Sequence, residues 1–419
     1  MGLAFLQSDQ DDDQLVANYQ RLVAVAGLAL VGATWKMWTP QTVFPQVPFL
    51  GFVNALPAEI DWAGLLLLVV SLIVLLVRPG NQKIRQTACG LFVLSACWLI
   101  VADQHRFQPW LYQFLLATIV MAVVPAKRAL PLVRLLVVGI YFHSAVSKFD
   151  FGFIDSEGHL FLTGLLHNFG LNFGNWPPAV VKFFVAAMPA GELLVAVLLC
   201  FSRTRPVAVW AAIIMHGTLM LALGPWGLNH KPGVLLWNVF FIVQVFLLFG
   251  SMKTRGEDNG DPEPPEMNWQ VRFAQILVGL AVCLPFFESF GLWDTWPSWG
   301  LYATRQSQVK VYVHEDERGQ LPTELKQHVS EPPFSGPWCR VQIDRWSLAA
   351  VNAPIYPQDR YQLGVAWKIS EQLTDAENLR VIVEGQANRF TGQRTETELI
   401  GFVALQTEAA RYWFNVQPR

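Results

Sequence analysis

The chain has 419 residues, 53% of them hydrophobic and only 15% charged, with a mean hydropathy of +0.33. A soluble domain carries about 25% charged residues, so this balance excludes an ordinary soluble enzyme and points to a membrane protein. The net charge of −2 gives no electrostatic basis for a nucleic-acid partner.

Near the start, Asp9 and the acidic run Asp11–Asp13 stand where a secretory signal would be basic, so no cleaved leader is expected. Apolar runs of roughly 17–25 residues then recur, each long enough to cross about 30 Å of hydrocarbon. Nine spans are predicted, at 20–38, 61–78, 85–102, 110–126, 132–149, 179–201, 206–223, 233–250 and 270–290. The fourth is the shortest. Basic residues fall in alternate loops: Arg78, Lys83 and Arg85; Lys127, Arg128 and Arg134; Arg203 and Arg205; Lys253, Arg255 and Arg272. Because cytoplasmic loops are the basic ones, the N-terminus is expected inside a bacterial-type inner membrane and everything after residue 291 outside it.

Between the fifth and sixth spans, His159–Phe173 is apolar but interrupted by Thr163, His167, Asn168 and Gly170, and Asn175–Pro178 stops it. It is too short and polar to cross, so an interfacial or re-entrant helix at the outer surface is expected. Arg255–Glu266 is rich in Pro and acids and reads as a linker. After the Trp cluster Trp293–Trp299 the composition changes. Gln308–His314 alternates like a strand, Leu379–Glu384 reads as a second one, and Gln358–Glu371 fits an amphipathic helix. The predicted fold is therefore an α-helical polytopic bundle over residues 1–291, followed by a small α+β extracytoplasmic domain over 292–419.

Ionisable side chains inside spans cost free energy, about 2.5–3.5 kcal/mol for a lysine at mid-bilayer, and mark functional cavities. Lys148 ends the fifth span, where Tyr141, Ser144 and Lys148 share one face and His143 starts a neighbouring stripe with Ser147. Asp103, His105 and Arg106 end the third span, and Asp150 follows Lys148. Glu192 interrupts the sixth span, His216 the seventh, and Asn238 lies in the eighth. Bland readings stand beside each: a snorkelling lysine, a headgroup-touching His105–Arg106 pair, a hydrogen-bonded packing histidine, a structurally paired Glu192. The five cysteines form no CxxC, and no HxxxH or ExxH pair occurs on a span, so no metal site is expected.

The stretch Tyr141–Asp150 resembles the corresponding segment of vitamin K-dependent gamma-carboxylases and the HTTM domain they share with bacterial proteins. Met215-His216-Gly217 resembles the family's His-containing helix, and the plan of a bundle followed by a β-containing tail is similar. The resemblance implies a reduced quinone as cofactor, Lys148 as the base toward it, and His216 as a residue that orients a quinone oxygen. It implies carboxylase-like, quinone- or lipid-linked chemistry in an outward-facing cavity. Ser147 stands where the family has a second lysine, and the tail is shorter. Both features suit the alternative of a non-catalytic subunit or assembly factor whose outer domain holds a protein partner. A small-molecule transporter is a further alternative, kept open by Pro189-Ala-Gly-Glu192.

Overall fold

The computed structural model describes residues 2–40, 43–77, 81–250 and 268–419, with side chains from residue 11 onward. The predicted linker Arg255–Glu266 and the basic residues Arg78, Lys253 and Arg255 lie outside the described residues.

The first helix, α1 (Gly2–Ala33), begins well before the predicted first span and stops sooner. Thr34 ends it: its backbone leaves the helical region, and its Oγ1 donates to the Leu30 carbonyl while accepting the Trp38 indole N–H. A single turn, α2 (Trp35–Trp38), follows. Then come α3 (Ile60–Val77), α4 (Gln82–Ala102), α5 (Pro109–Val123), α6 (Ala126–Ser147), α7 (Gly158–His167), α8 (Pro178–Cys200), α9 (Arg205–Leu223), α10 (Pro232–Val245) and α11 (Trp269–Cys283). With their terminal turns, eight helices among the described residues are long and apolar enough to cross a membrane. Helix α3 shows the pattern: Leu68, Leu72 and Leu75 are buried, while Leu66, Val70, Ile73 and Val77 form an exposed apolar stripe on the other face. In water such a stripe would drive association; in lipid it is the expected outer wall.

The predicted fourth span is a helix shorter than the other eight. Helix α5 has 15 residues, about 22 Å at 1.5 Å per residue, short of the hydrocarbon thickness. It is packed among α1, α4, α6 and α11. Its Trp110, Phe114, Ala117 and Val120 are buried, so the helix never needs to match the lipid thickness itself.

Helix α7 is the expected short element, entered through a wide π-turn at Phe153–Glu157. Gly158 and Gly164 bring it close to α8 and α9, because a Cβ at either position would collide with Val185 or with the Ala222 carbonyl.

The C-terminal part is an antiparallel sheet in the order β2-β1-β3-β4, from β1 (Gln308–His314), β2 (Trp338–Val341), β3 (Leu379–Glu384) and β4 (Glu396–Ile400). Val311 faces Val341 on one side and Val381 on the other. Short helices α12 (Glu315–Arg318) and α13 (Thr323–Lys326) lie between β1 and β2, and α14 (Ile343–Val351) follows β2. Helix α15 (Asp359–Ser370) covers β1 and β3, and α16 (Gly401–Ala409) packs on α15. This layer sits on one end of the bundle. Arg360 Nε donates to Gln104 Oε1 at 2.8 Å, and Gln104 Nε2 donates to the Asn415 carbonyl at 2.8 Å. Phe151 N donates to the Arg389 carbonyl at 2.8 Å, and Gln386 Nε2 to the Glu288 carbonyl at 2.9 Å. A single cluster of buried apolar residues runs from the bundle into the sheet.

Candidate functional site

Helices α6, α8, α9 and α10 do not close completely near the sheet-bearing end. Between them lies a cavity of about 260 Å³, walled on one side by Phe161 and Leu165 of α7 and roofed by Leu301 and Tyr302. Most of the lining is apolar, and the polar atoms gather on α6, α8, α9 and α10.

Two hydrogen-bonded groups make up that polar part. In the first, Lys148 folds back along α6, so that Nζ donates to the Ser144 carbonyl at 2.9 Å and meets Ser144 Oγ at 2.6 Å. The same nitrogen forms an ion pair with Glu192 Oε2 on α8 at 2.8 Å. The lysine residue is 8% exposed, so a snorkelling lysine is ruled out. In the second group, Asn238 Nδ2 donates to the Val234 carbonyl at 2.8 Å, which turns its Oδ1 toward His216 Nδ1 at 2.7 Å. An amide oxygen can only accept, so Nδ1 carries a proton. In the neutral tautomer with that proton, Nε2 accepts the Tyr141 hydroxyl, 2.7 Å away. Phe241 stacks on the His216 ring, with centroids 5.0 Å apart at 22°, and fixes its plane.

The shared face of Tyr141, Ser144 and Lys148 is thus realised, and it meets Glu192, His216 and Asn238 from three other helices. Other predicted members fall elsewhere. His143 points the opposite way, with Nε2 2.8 Å from the Val282 carbonyl and its ring against Phe286, because its position is rotated toward α11. Asp150 is not the partner of Lys148. Its Oδ1 accepts from Phe153 N and from Thr304 Oγ1, both at 2.7 Å, and so ties the α6 end to the segment entering the sheet.

Asp103, His105 and Arg106 do not touch headgroups; they are buried where the bundle meets the sheet layer. Arg106 pairs with Asp61 at 2.8 Å and donates to the Met37 and Thr39 carbonyls. His105 Nε2 lies 2.7 Å from the Pro354 carbonyl, and Asp103 Oδ1 accepts from Val47 N and His105 N. Burial lowers His105 from its ordinary value to about 4, with Arg106 adding to the effect and the Pro354 carbonyl opposing it. The trio is a joint, distinct from the cavity.

The roof residue Tyr302 escaped sequence reasoning. It adopts a positive φ of 58°, and its hydroxyl lies 3.0 Å from His230 Nδ1. No motif marks such a residue, since it reaches the cavity only through a turn after the Trp cluster. Trp237 and Phe241 were likewise hidden, being ordinary apolar residues of a span.

On the side away from the bundle axis the cavity has a rim. Ala187 and Gly191, one turn apart on α8, line it and are exposed, with Thr218 and Met215 partly exposed on α9 opposite. A Cβ placed on Gly191 would meet nothing within 4 Å. No known protein family, curated protein or solved structure matches this chain. On structural grounds it is a helical protein with eight candidate membrane helices among the described residues and a small C-terminal sheet.

Proposed function

We propose that the chain is a multi-pass inner-membrane protein of HTTM-like type that removes a proton from a membrane-dissolved amphiphile in the Lys148 cavity, in the manner of vitamin K-dependent gamma-carboxylases. The observation that carries the reading is a pocket with ionisable groups at its polar side, apolar walls elsewhere, and a rim of small residues on the lipid-facing surface of α8. Such a pocket suits a ligand with an acidic ring head and an apolar tail, as a reduced quinone has. Tyr141, Glu192 and the Lys148 charge would hold the ring hydroxyls, and Phe161, Leu165 and Leu219 the apolar part. Proton abstraction needs a base, a countercharge and exclusion of water, and the buried Lys148–Glu192 pair supplies the first two. By the positive-inside rule, the basic helix starts at Lys83, Arg85, Lys127, Arg128 and Arg205 favour a cytoplasmic face opposite the sheet layer.

The test uses a naphthohydroquinone carrying an isoprenoid tail, added to protein in vesicles and followed by native mass spectrometry. Wild type should retain it. Gly191→Phe, which fills the rim, should cut retention at least about tenfold with no change in melting temperature, a loss of roughly 1.4 kcal/mol. Equal retention by Gly191→Phe would refute entry at this rim. A second reading, in which the sheet layer holds a protein partner, is favoured by the full exposure of Phe334 and Trp413. A stoichiometric partner that survives detergent extraction would support it.

A further inference from the structure

Lys148 is poorly arranged to be the base. A lysine base needs a nitrogen lone pair aimed at the substrate, yet the surroundings of Nζ are taken by Ser144 O, Ser144 Oγ and Glu192 Oε2, all within 2.9 Å. A carboxylate at 2.8 Å holds the nitrogen as the ammonium, whose three N–H groups match those three acceptors. If the amine were neutral, its lone pair would face the Ser144 hydroxyl, not the cavity. The carboxylate differs. Oε2 of Glu192 is engaged by Lys148, while Oε1 takes no hydrogen bond among the described residues, and Glu192 lines the cavity. The nearby imidazole is no substitute, because both its nitrogens are committed, to Asn238 and to Tyr141.

From this geometry we infer that Glu192 is the proton acceptor, taking the O–H proton of a weakly acidic phenol or enol on Oε1, while the Lys148 ammonium stays as countercharge for the oxyanion formed. The inference rests on the proposed function, of which it specifies the base and the substrate class. One O–H bond breaks and one Oε1–H bond forms. The negative charge moves from carboxylate to substrate oxygen, and no electrons are gained or lost. A phenol ionises near 10 and a glutamate near 4.3 in water, so the transfer is uphill there. In the cavity the two anions compete for one ammonium. When the oxyanion takes Lys148, an ionised Glu192 would be left unpaired against apolar walls, whereas a protonated carboxyl is not. The ion pair can therefore exchange partners without net charge entering or leaving the pocket. A fixed ammonium with no second lysine beside it is enough for that role, which is consistent with Ser147 at the preceding position.

The experiment uses a 4-nitrophenol bearing a long alkyl chain, in vesicles holding the full-length protein. Visible absorbance reads the phenolate, and an indicator dye in weakly buffered water reads the proton. Wild type should form phenolate with no proton appearing in bulk, and its infrared difference spectrum should gain a protonated-carboxyl band. Glu192→Gln should still form phenolate beside Lys148 but release a proton to water for each one formed, and the infrared band should vanish. Lys148→Met should bind the probe as neutral phenol. If Glu192→Gln retained the proton, the lysine would be the base and the inference would be overturned. Phenolate in wild type without a carboxyl band overturns it too, independently of whether either variant folds. Should wild type bind no probe at all, the functional reading itself fails and takes the inference with it.

Discussion

At the end of α4, two buried titratable side chains pull stability in opposite directions. Burial pushes the Asp103 carboxyl up to about 7, against the lowering effects of Arg106 and of the His105 and Val47 N–H groups. Between about 3.9 and 7, folded Asp103 holds a proton that the unfolded chain has lost, so its contribution to stability falls as pH rises. His105 is the reverse case. Its folded value near 4 lies below the ordinary 6.5, so between those values the unfolded chain binds a proton that the folded one refuses, and stability falls as pH drops. Each amplitude is on the order of 3–4 kcal/mol, and the two windows overlap. Wild type should therefore show a shallower pH dependence of melting temperature from pH 4 to 6.5 than a variant lacking either group. Asp103→Asn should expose the acid-labile slope, and His105→Phe the opposite one. Melting curves in detergent across that range decide the matter; two variants as flat as wild type would show that these side chains do not titrate as assigned.

Among the elements, α5 is the predicted span whose length falls short of the hydrocarbon thickness. Hydropathy marks it as apolar but cannot say whether lipid or protein covers it, and 15 residues suffice only because protein does. Of its two buried polar residues, Gln113 and Thr118, the first confirms the setting. Gln113 Nε2 donates to Gln244 Oε1 at 2.9 Å and its Oε1 accepts from Trp237 Nε1 at 3.1 Å, while Tyr19 donates to the same Gln244 oxygen. This links α1, α5 and α10. Gln113→Leu should cost about 1–3 kcal/mol, because it strands the Trp237 indole in an apolar interior. Tryptophan emission should shift as Trp237 loses its acceptor, and an unchanged melting temperature would mean the network carries no stability. Strands β1 and β3 were legible since each alternates with one buried face. Strand β4 was not, because its residues are polar and mostly exposed, and β2 is only four residues long. The cavity was half legible. Helical spacing put Tyr141, Ser144 and Lys148 on one face, but Glu192 meets Lys148 only through the packing of α8 on α6, which no local pattern encodes.

For the whole molecule, the arrangement ties topology to chemistry. The sheet layer docks on the end of the bundle formed by residues 43–56, the end of α4, the end of α6 and the end of α11. The cavity opens near that same end, under the turn bearing Tyr302. Alternating helix directions, if α5 is counted as a full passage, would put the first residue of α1 and the last of α11 on opposite sides of a membrane. If α5 were instead a hairpin returning to its own side, every later helix would be inverted, and the basic starts of α6 and α9 would share a side with the sheet. Charge distribution argues against that inversion, because Arg128 and Arg205 would then lie on the translocated face. A single exposed cysteine at each of two positions tests the point in a background lacking the five native cysteines. Glu324→Cys, in α13, should react in intact cells with a membrane-impermeant maleimide. Arg128→Cys, at the start of α6, should react only after the membrane is broken. Labelling of Arg128→Cys alone would reverse the orientation and place the Lys148 cavity near the cytoplasmic surface, and labelling of both would put the two positions on one side of the membrane.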